Sequence, residues 1–269
     1  MRKIILLSLF SFILFSSQAQ INWHYDMESA KQTALREGKL LLVDFWAIWC
    51  GPCKRMDSDL WESEEMTSLA NNFVAFKLDV DNHQALARKY SVSSIPRVAI
   101  MTPDGDILWD RTGFSGANEY LSVLKALPAD LKDMYVALNN LENEENSENL
   151  FQTAVAYQEV AKTIEYNSLS NQFFNASNRY FKKAAKEDDQ VIGQLAELNE
   201  VLNLALRGAS KKALKKLKKI DGLDTEVTQE FANYIRAYCF KCEGLDDKFN
   251  SEKEKITDPK LLAALDESN

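Results

Sequence analysis

Four cysteines fall in two pairs of equal spacing, Cys50/Cys53 in VDFWAIWCGPCK and Cys239/Cys242 in YCFKC. A Cys-x-x-Cys pair can be a working redox couple, half of a zinc site, or a structural disulfide. Zinc requires four ligands, or three and a water. The chain's two histidines, His24 and His83, do not stand at ligand spacing from Cys50 and Cys53, so no metal is expected there. A structural disulfide closing a two-residue loop would add little stability. The setting favours a redox couple. KLLLVDFWA, a nearly continuous apolar run, reads as a buried strand, and KRMDSDLW reads as the helix that follows the pair. Cys50 would then stand at a helix N-terminus, where unpaired N–H groups and the helix dipole favour a thiolate. Lowering a thiol pKa from about 8.5 to about 7 raises the ionised fraction from ~3% to about half and takes ~2 kcal/mol. The dipole supplies ~0.3–1 kcal/mol. Direct N–H···S⁻ bonds, including one from the Cys53 side, must supply the rest. Pro52 suits the first helical turn, where an N–H would go unpaired.

The elements around this pair alternate. DMESAKQTALREG reads as a helix from an Asp26 cap to a Gly38 stop. NFVAFKLDV is a second strand and NHQALARKYSV a helix. RVAIM and ILWDR are strands joined by a turn at Thr102-Pro103-Asp104-Gly105, and GANEYLSVLKAL closes the region as a helix. Alternating strands and helices imply a layered α/β domain. After Pro128 the strand signal stops. Four long segments carry apolar residues at three- and four-residue spacing, which implies an all-α domain of stacked helix pairs. RGASKKALKKLKKI faintly resembles the second half of a tetratricopeptide unit, without a clean 34-residue period. Its lysines read as the solvated face of a helix whose Ala213, Leu214, Leu217 and Ile220 point inward.

LVDFWAIWCGPCK resembles the active-site stretch of thioredoxins. The likeness continues in register through VAFKLDVD, YSVSSIPRVAI and DRTGFSGANEYLSVL, covering about residues 22 to 127. WHYDMESAKQTALREGK and LDVDNHQALARKY are most similar to thioredoxin-like domains of bacterial envelope disulfide-interchange proteins. The resemblance implies a thioredoxin fold, a central mixed sheet flanked by helices, for the domain at residues 20–128; the all-α part, 129–269, lies outside it. It implies that Cys50 is an exposed nucleophile and Cys53 the buried resolving thiol. Trp49, Gly51 and Pro52 would shape the rim. Asp44 would be the buried acid that exchanges the resolving thiol's proton, and Lys77 the lysine that modulates it. Ile95-Pro96 would form a cis peptide facing the cysteines, with the Ile95 backbone available to pair with a substrate strand. Arg97 departs from the family, where threonine is usual, and bears on substrate preference. Gly51-Pro52 is the pair found in thioredoxins, which implies a reducing or isomerising role. No cofactor is called for.

The N-terminus carries Arg2 and Lys3, then an apolar run from Ile4 to Phe15, then SSQAQ with small Ser17 and Ala19. This layout is that of a cleaved signal peptide, residues 1–19, with no stable membrane insertion afterwards. The expected location is periplasmic or otherwise exported. Net charge is −8, or −10 without Arg2 and Lys3, which argues against general nucleic-acid binding. The chain therefore reads as an exported thiol–disulfide oxidoreductase acting on disulfides of other exported proteins. A reductant in that compartment needs a membrane-embedded electron donor. The alternative is an adaptor whose helical part recruits a partner, the thioredoxin-like module being secondary. Cys239 and Cys242 lie in a helical pattern without Gly-Pro between them. They are open to three readings: buried core thiols, a structural disulfide, or a second redox couple.

Overall fold

The computed structural model describes residues 21–267. The signal-peptide reading of residues 1–19 lies outside the described residues. Among the described residues the first half holds one five-stranded sheet in the order β1-β3-β2-β4-β5. These strands are β1 Trp23–His24, β2 Leu40–Trp46, β3 Phe73–Asp79, β4 Arg97–Met101 and β5 Ile107–Thr112. The pairs β1/β3 and β2/β3 are parallel, and β2/β4 and β4/β5 are antiparallel. β2 is central, and Leu40 through Phe45 are all buried, as an apolar run interrupted only by Asp44 requires. Helix α1, Met27–Glu37, begins where the Asp26 carboxylate accepts from the Ser29 N–H at 2.7 Å and ends at Gly38 with φ 67°. Helices α4, Gln84–Lys89, and α5, Asn118–Lys125, occupy the expected segments, and the 102–105 turn closes with Gly105 N–H donating to the Thr102 carbonyl.

The helix after the cysteines is not uniform. Helix α2, Gly51–Met56, runs into a π-helical turn, Asp57–Trp61, and then helix α3, Glu64–Leu69. Asp57, Ser58 and Asp59 are weak helix formers, and the Ser58 hydroxyl bonds locally, donating to the Arg55 carbonyl at 3.1 Å. The wider turn leaves both Leu60 and Trp61 buried against the sheet.

Eight helices follow among the described residues: α6 Lys132–Asn143, α7 Ser147–Thr163, α8 Asn167–Ala184, α9 Gln190–Leu206, α10 Ser210–Leu217, α11 Glu226–Cys242, α12 Asp246–Lys253 and α13 Pro259–Glu267. Consecutive helices from α6 to α12 pack on one another, and α13 packs on α11. This half joins the sheet through an unbroken apolar cluster. Leu131, Met134, Tyr135, Tyr157, Phe173 and Phe174 share it with Leu40, Leu42, Ile100, Tyr120 and Leu124. Two hydrogen bonds fasten the seam: Leu131 N–H to the Gly38 carbonyl at 2.8 Å and the Tyr135 hydroxyl to the Lys39 carbonyl at 2.8 Å. The approach is close enough that a Cβ on Gly38 would lie 2.6 Å from Asp130 Oδ1, besides the positive φ that glycine tolerates.

Candidate active site

The buried β2 strand ends at Trp46, and a short loop carries Ala47 to Trp49 outward. Cys50 is held there by its N–H donating to the Ala47 carbonyl at 3.0 Å, and it caps helix α2. The Cys53 N–H donates to Cys50 Sγ at 3.2 Å. Pro52 occupies the first turn, so no N–H is stranded. Cys50 and Cys53 form a disulfide with Cα atoms 5.3 Å apart.

Trp46, Val80 and Ile95 pack around Ala47 and the two cysteines. Cys50 and Cys53 are equally buried, each 3% exposed, whereas Cys50 was expected to be the exposed member. The disulfide draws the Cys50 sulfur onto Cys53 and into this apolar pocket. Exposure passes instead to its neighbours: Ile48 and Trp49 are 68% and 66% exposed. The Trp49 ring nitrogen donates to Asp81 Oδ2 at 2.8 Å, which fixes the indole beside the pair. Ile95-Pro96 is a cis peptide, Pro96 is buried and Ile95 is half-buried against the cysteines. Gly51 and Pro52 are exposed, and a Cβ on Gly51 would meet only open space.

Asp44 stands on β2 in register with Lys77 of β3 and Val98 of β4. It is 2% exposed. Its Oδ2 accepts from the Trp61 ring nitrogen at 3.2 Å, with Lys77 Nζ at 3.8 Å, while Oδ1 has no hydrogen-bond partner. Burial pushes its pKa up to about 7, opposed by the Lys77 charge and the Trp61 bond and reinforced by the Asp57 charge. Lys77 pairs more closely with Asp57, and its ammonium lies 5.2 Å from the Trp23 ring centre and 5.0 Å from that of Trp46. The cation expected to serve Asp44 is thus shared between two carboxylates. The family pattern does not single out Asp57 or Trp61. Asp57 lies four residues after Cys53, a spacing that puts it on the same inward face of a helix and was a usable signal. Nothing in the local sequence marks Trp61 as the donor to Asp44.

Arg97, the departure from the family pattern, is not directed at the cysteines. Its guanidinium grips Asp110 through two nitrogens at 2.8 and 2.7 Å, donates to the Tyr90 carbonyl at 2.6 Å and lies over the Phe45 ring. It ties β4 to β5 and to the end of α4. Cys239 and Cys242 lie on α11 as free thiols, so the disulfide reading of that pair does not hold in this structure. Cys239 is fully buried in the helical core, as a small apolar residue would be, but Cys242 is exposed. Three residues rotate a helix by less than a full turn, and at the edge of this one that offset carries Cys242 out of the core. Among the described residues no group of three or more His, Cys, Asp or Glu side chains is placed to hold a metal, and no helix is long and apolar enough to cross a membrane.

Comparison with known proteins bears on the same segment. A family model described as thioredoxin-like matches residues 22–103. Thioredoxin from Bacillus subtilis is 39% identical over 75 residues, covering 28% of this chain and 69% of the relative. Thioredoxin from Mycobacterium tuberculosis is 38% identical over 105 residues, covering 39% and 82%. Among solved structures, the reduced C-terminal domain of Neisseria meningitidis DsbD is 27% identical, covering 38% of this chain and 94% of that one, with a TM-score of 0.34. With a cysteine disulfide at a strand-to-helix junction and relatives of this closeness, the chain belongs to the thioredoxin family and is a disulfide oxidoreductase whose redox pair is Cys50–Cys53.

Proposed function

We propose that the protein is an exported reductase or isomerase of protein disulfides that works through the Cys50-Gly51-Pro52-Cys53 couple. In the reduced protein the Cys50 thiolate attacks one sulfur of a client disulfide. The client's other sulfur leaves as a thiolate, and a mixed disulfide remains. Asp44 takes the proton of the Cys53 thiol, and the Cys53 thiolate attacks Cys50 Sγ. The second client sulfur leaves and is protonated, and the Cys50–Cys53 disulfide of this structure is formed. A carboxyl titrating near neutrality suits a proton passed in both directions at physiological pH. Two electrons must then return to the pair, and in an oxidising compartment a membrane-embedded thiol donor would supply them.

The observation that carries this reading is the sealed sulfur pair with an exposed apolar rim: Ile48 and Trp49 stand out of the surface while both sulfurs lie just beneath it. Nothing in the chain itself requires glycine at Gly51, so its missing side chain leaves room for an approaching client. The helical half would select which disulfide-containing exported proteins are engaged.

The test is trapping. Cys53→Ala should accumulate mixed disulfides with clients through Cys50, because attack proceeds and resolution cannot. Cys50→Ser should trap nothing and abolish insulin-disulfide reduction. Near-native reduction by Cys50→Ser would refute the assignment, and recovery of the chain only from the cytoplasmic fraction would refute the export.

A further inference from the structure

The chain is acidic overall, yet from Val201 to Ile220 it contains no Asp or Glu, while Arg207 and six lysines stand within residues 207–219. With a net charge of −8 for the whole chain, everything outside that stretch sums to −15. Helix α10 sorts these lysines by face. Ala213 and Leu217 are buried and Leu214 half-buried against α9 and α11, so Lys211, Lys212, Lys215, Lys218 and Lys219 are left exposed on the opposite side. Of these lysines, only Lys211 and Lys216 meet acidic partners among the described residues, Glu243 at 3.4 Å and Glu200 at 3.3 Å. Among the described residues Lys212, Lys215, Lys218 and Lys219 make no ion pair.

Helix chemistry accounts for only part of this arrangement. Cations in the last turn are favoured by the helix dipole, which covers Lys215 and Lys216 and the lysines just beyond. Lys211 and Lys212 are in the first turn, where the dipole disfavours them. The spacings 211/215 and 212/216 bring like charges together at i, i+4, which destabilises the helix. A solvated face needs neither cost.

We propose that the lysine face of α10 is an electrostatic docking surface for an anionic phospholipid membrane. The chemistry selects a headgroup layer over a folded protein partner. Lysine is depleted from protein interface cores, and this face carries none of the aromatic or arginine anchors that dominate protein binding. A cluster of mobile point charges is the pattern that anionic lipid surfaces attract, within a Debye length of about 8 Å at physiological salt. The excess negative charge elsewhere would turn the remaining faces away from such a surface and so orient the molecule. The proposal rests on the export reading only in placing the chain beside a membrane, and it would bring the protein to its membrane-embedded electron donor.

The test is vesicle flotation of the mature chain beginning near Gln20. One set of vesicles is phosphatidylcholine alone and the other contains about one-third phosphatidylglycerol. Binding is expected to the anionic set only, and to vanish in 0.5 M salt as screening requires. Lys212→Glu, Lys215→Glu, Lys218→Glu and Lys219→Glu combined should lower the partition coefficient at least tenfold. Lys125→Glu, Lys182→Glu, Lys186→Glu and Lys260→Glu, with the same change in net charge, should lower it less than threefold. Both variants should reduce insulin at the wild-type rate, so the outcome is independent of the disulfide chemistry. No binding of the wild type to anionic vesicles, or equal losses in the two variants, would overturn the docking surface.

Discussion

Asp44 is a carboxyl held neutral up to about pH 7 by burial, with one unpartnered oxygen and a lysine that leans toward Asp57. A raised carboxyl pKa has a definite consequence for stability. Between the unfolded value near 4 and the folded value near 7 the native state binds the extra proton, so wild-type stability falls as pH rises, by up to about 1.4 kcal/mol per unit. Asp44→Asn removes that slope. In urea titrations the variant should match wild type near pH 4 and exceed it at pH 8, while client turnover slows. Equal slopes for the two proteins would mean that Asp44 does not titrate in this range. Asp57→Asn should act in the opposite sense on the acid: it removes a repelling charge and frees Lys77 for Asp44, so the pH profile of insulin reduction should move to lower pH. An unmoved profile would reduce Asp57 to a surface partner of Lys77. The cysteines could be found from sequence because a short motif carries them, whereas Asp44 and Lys77 are singled out only by the resemblance to thioredoxins. Trp61 could not be assigned its role, because a π-helical turn rather than any local pattern delivers it, and Asp57 is marked only by its four-residue spacing from Cys53.

At the scale of elements, the strands and long helices follow from hydrophobic period, and the structure places them where the period does. The two-residue β1 and the π turn are too short for any period to show. Helix α11 illustrates what a period can and cannot decide. It places Cys239 and Cys242 near one face, but whether both fall inside the core depends on how α10, α12 and α13 close over that face. Cys239 is sealed within the core, and burial pushes its thiol up to about 12, so it stays protonated and unreactive. Cys242 is exposed and forms no disulfide in this structure. Cys239→Ala with Cys242→Ala should therefore leave insulin reduction within about twofold, and cost ~1 kcal/mol of stability as modest core truncations do. A large loss of turnover, with Cys50 still reactive toward a thiol probe, would instead make the α11 pair an electron relay.

At the scale of the whole molecule, the change of pattern at Pro128 divides the sequence more sharply than the packing divides the structure. Every active-site residue lies before that point, which is why a cut there is the natural first choice. The apolar cluster beneath the sheet continues through it, however, and Leu131, Met134 and Tyr135 are as buried as the strand residues they meet. Periodicity shows that each helix has an apolar face but not which surface covers it, so this shared core could not be read from sequence. Exposing three such side chains costs roughly 5–9 kcal/mol as an upper figure, at ~1.5–3 kcal/mol each. That is comparable to the total stability of an ordinary domain, about 5–15 kcal/mol. A fragment of residues 20–128 should therefore reduce a generic disulfide in the cold but unfold at a much lower urea concentration than a fragment of residues 20–187. The longer piece keeps α6 to α8 and with them every buried residue of the shared cluster. It should approach the urea midpoint of the full chain's sheet, followed by the fluorescence of Trp23, Trp46 and Trp61. Equal midpoints for the two fragments would show that the seam adds nothing to the sheet and that the helices serve client choice alone.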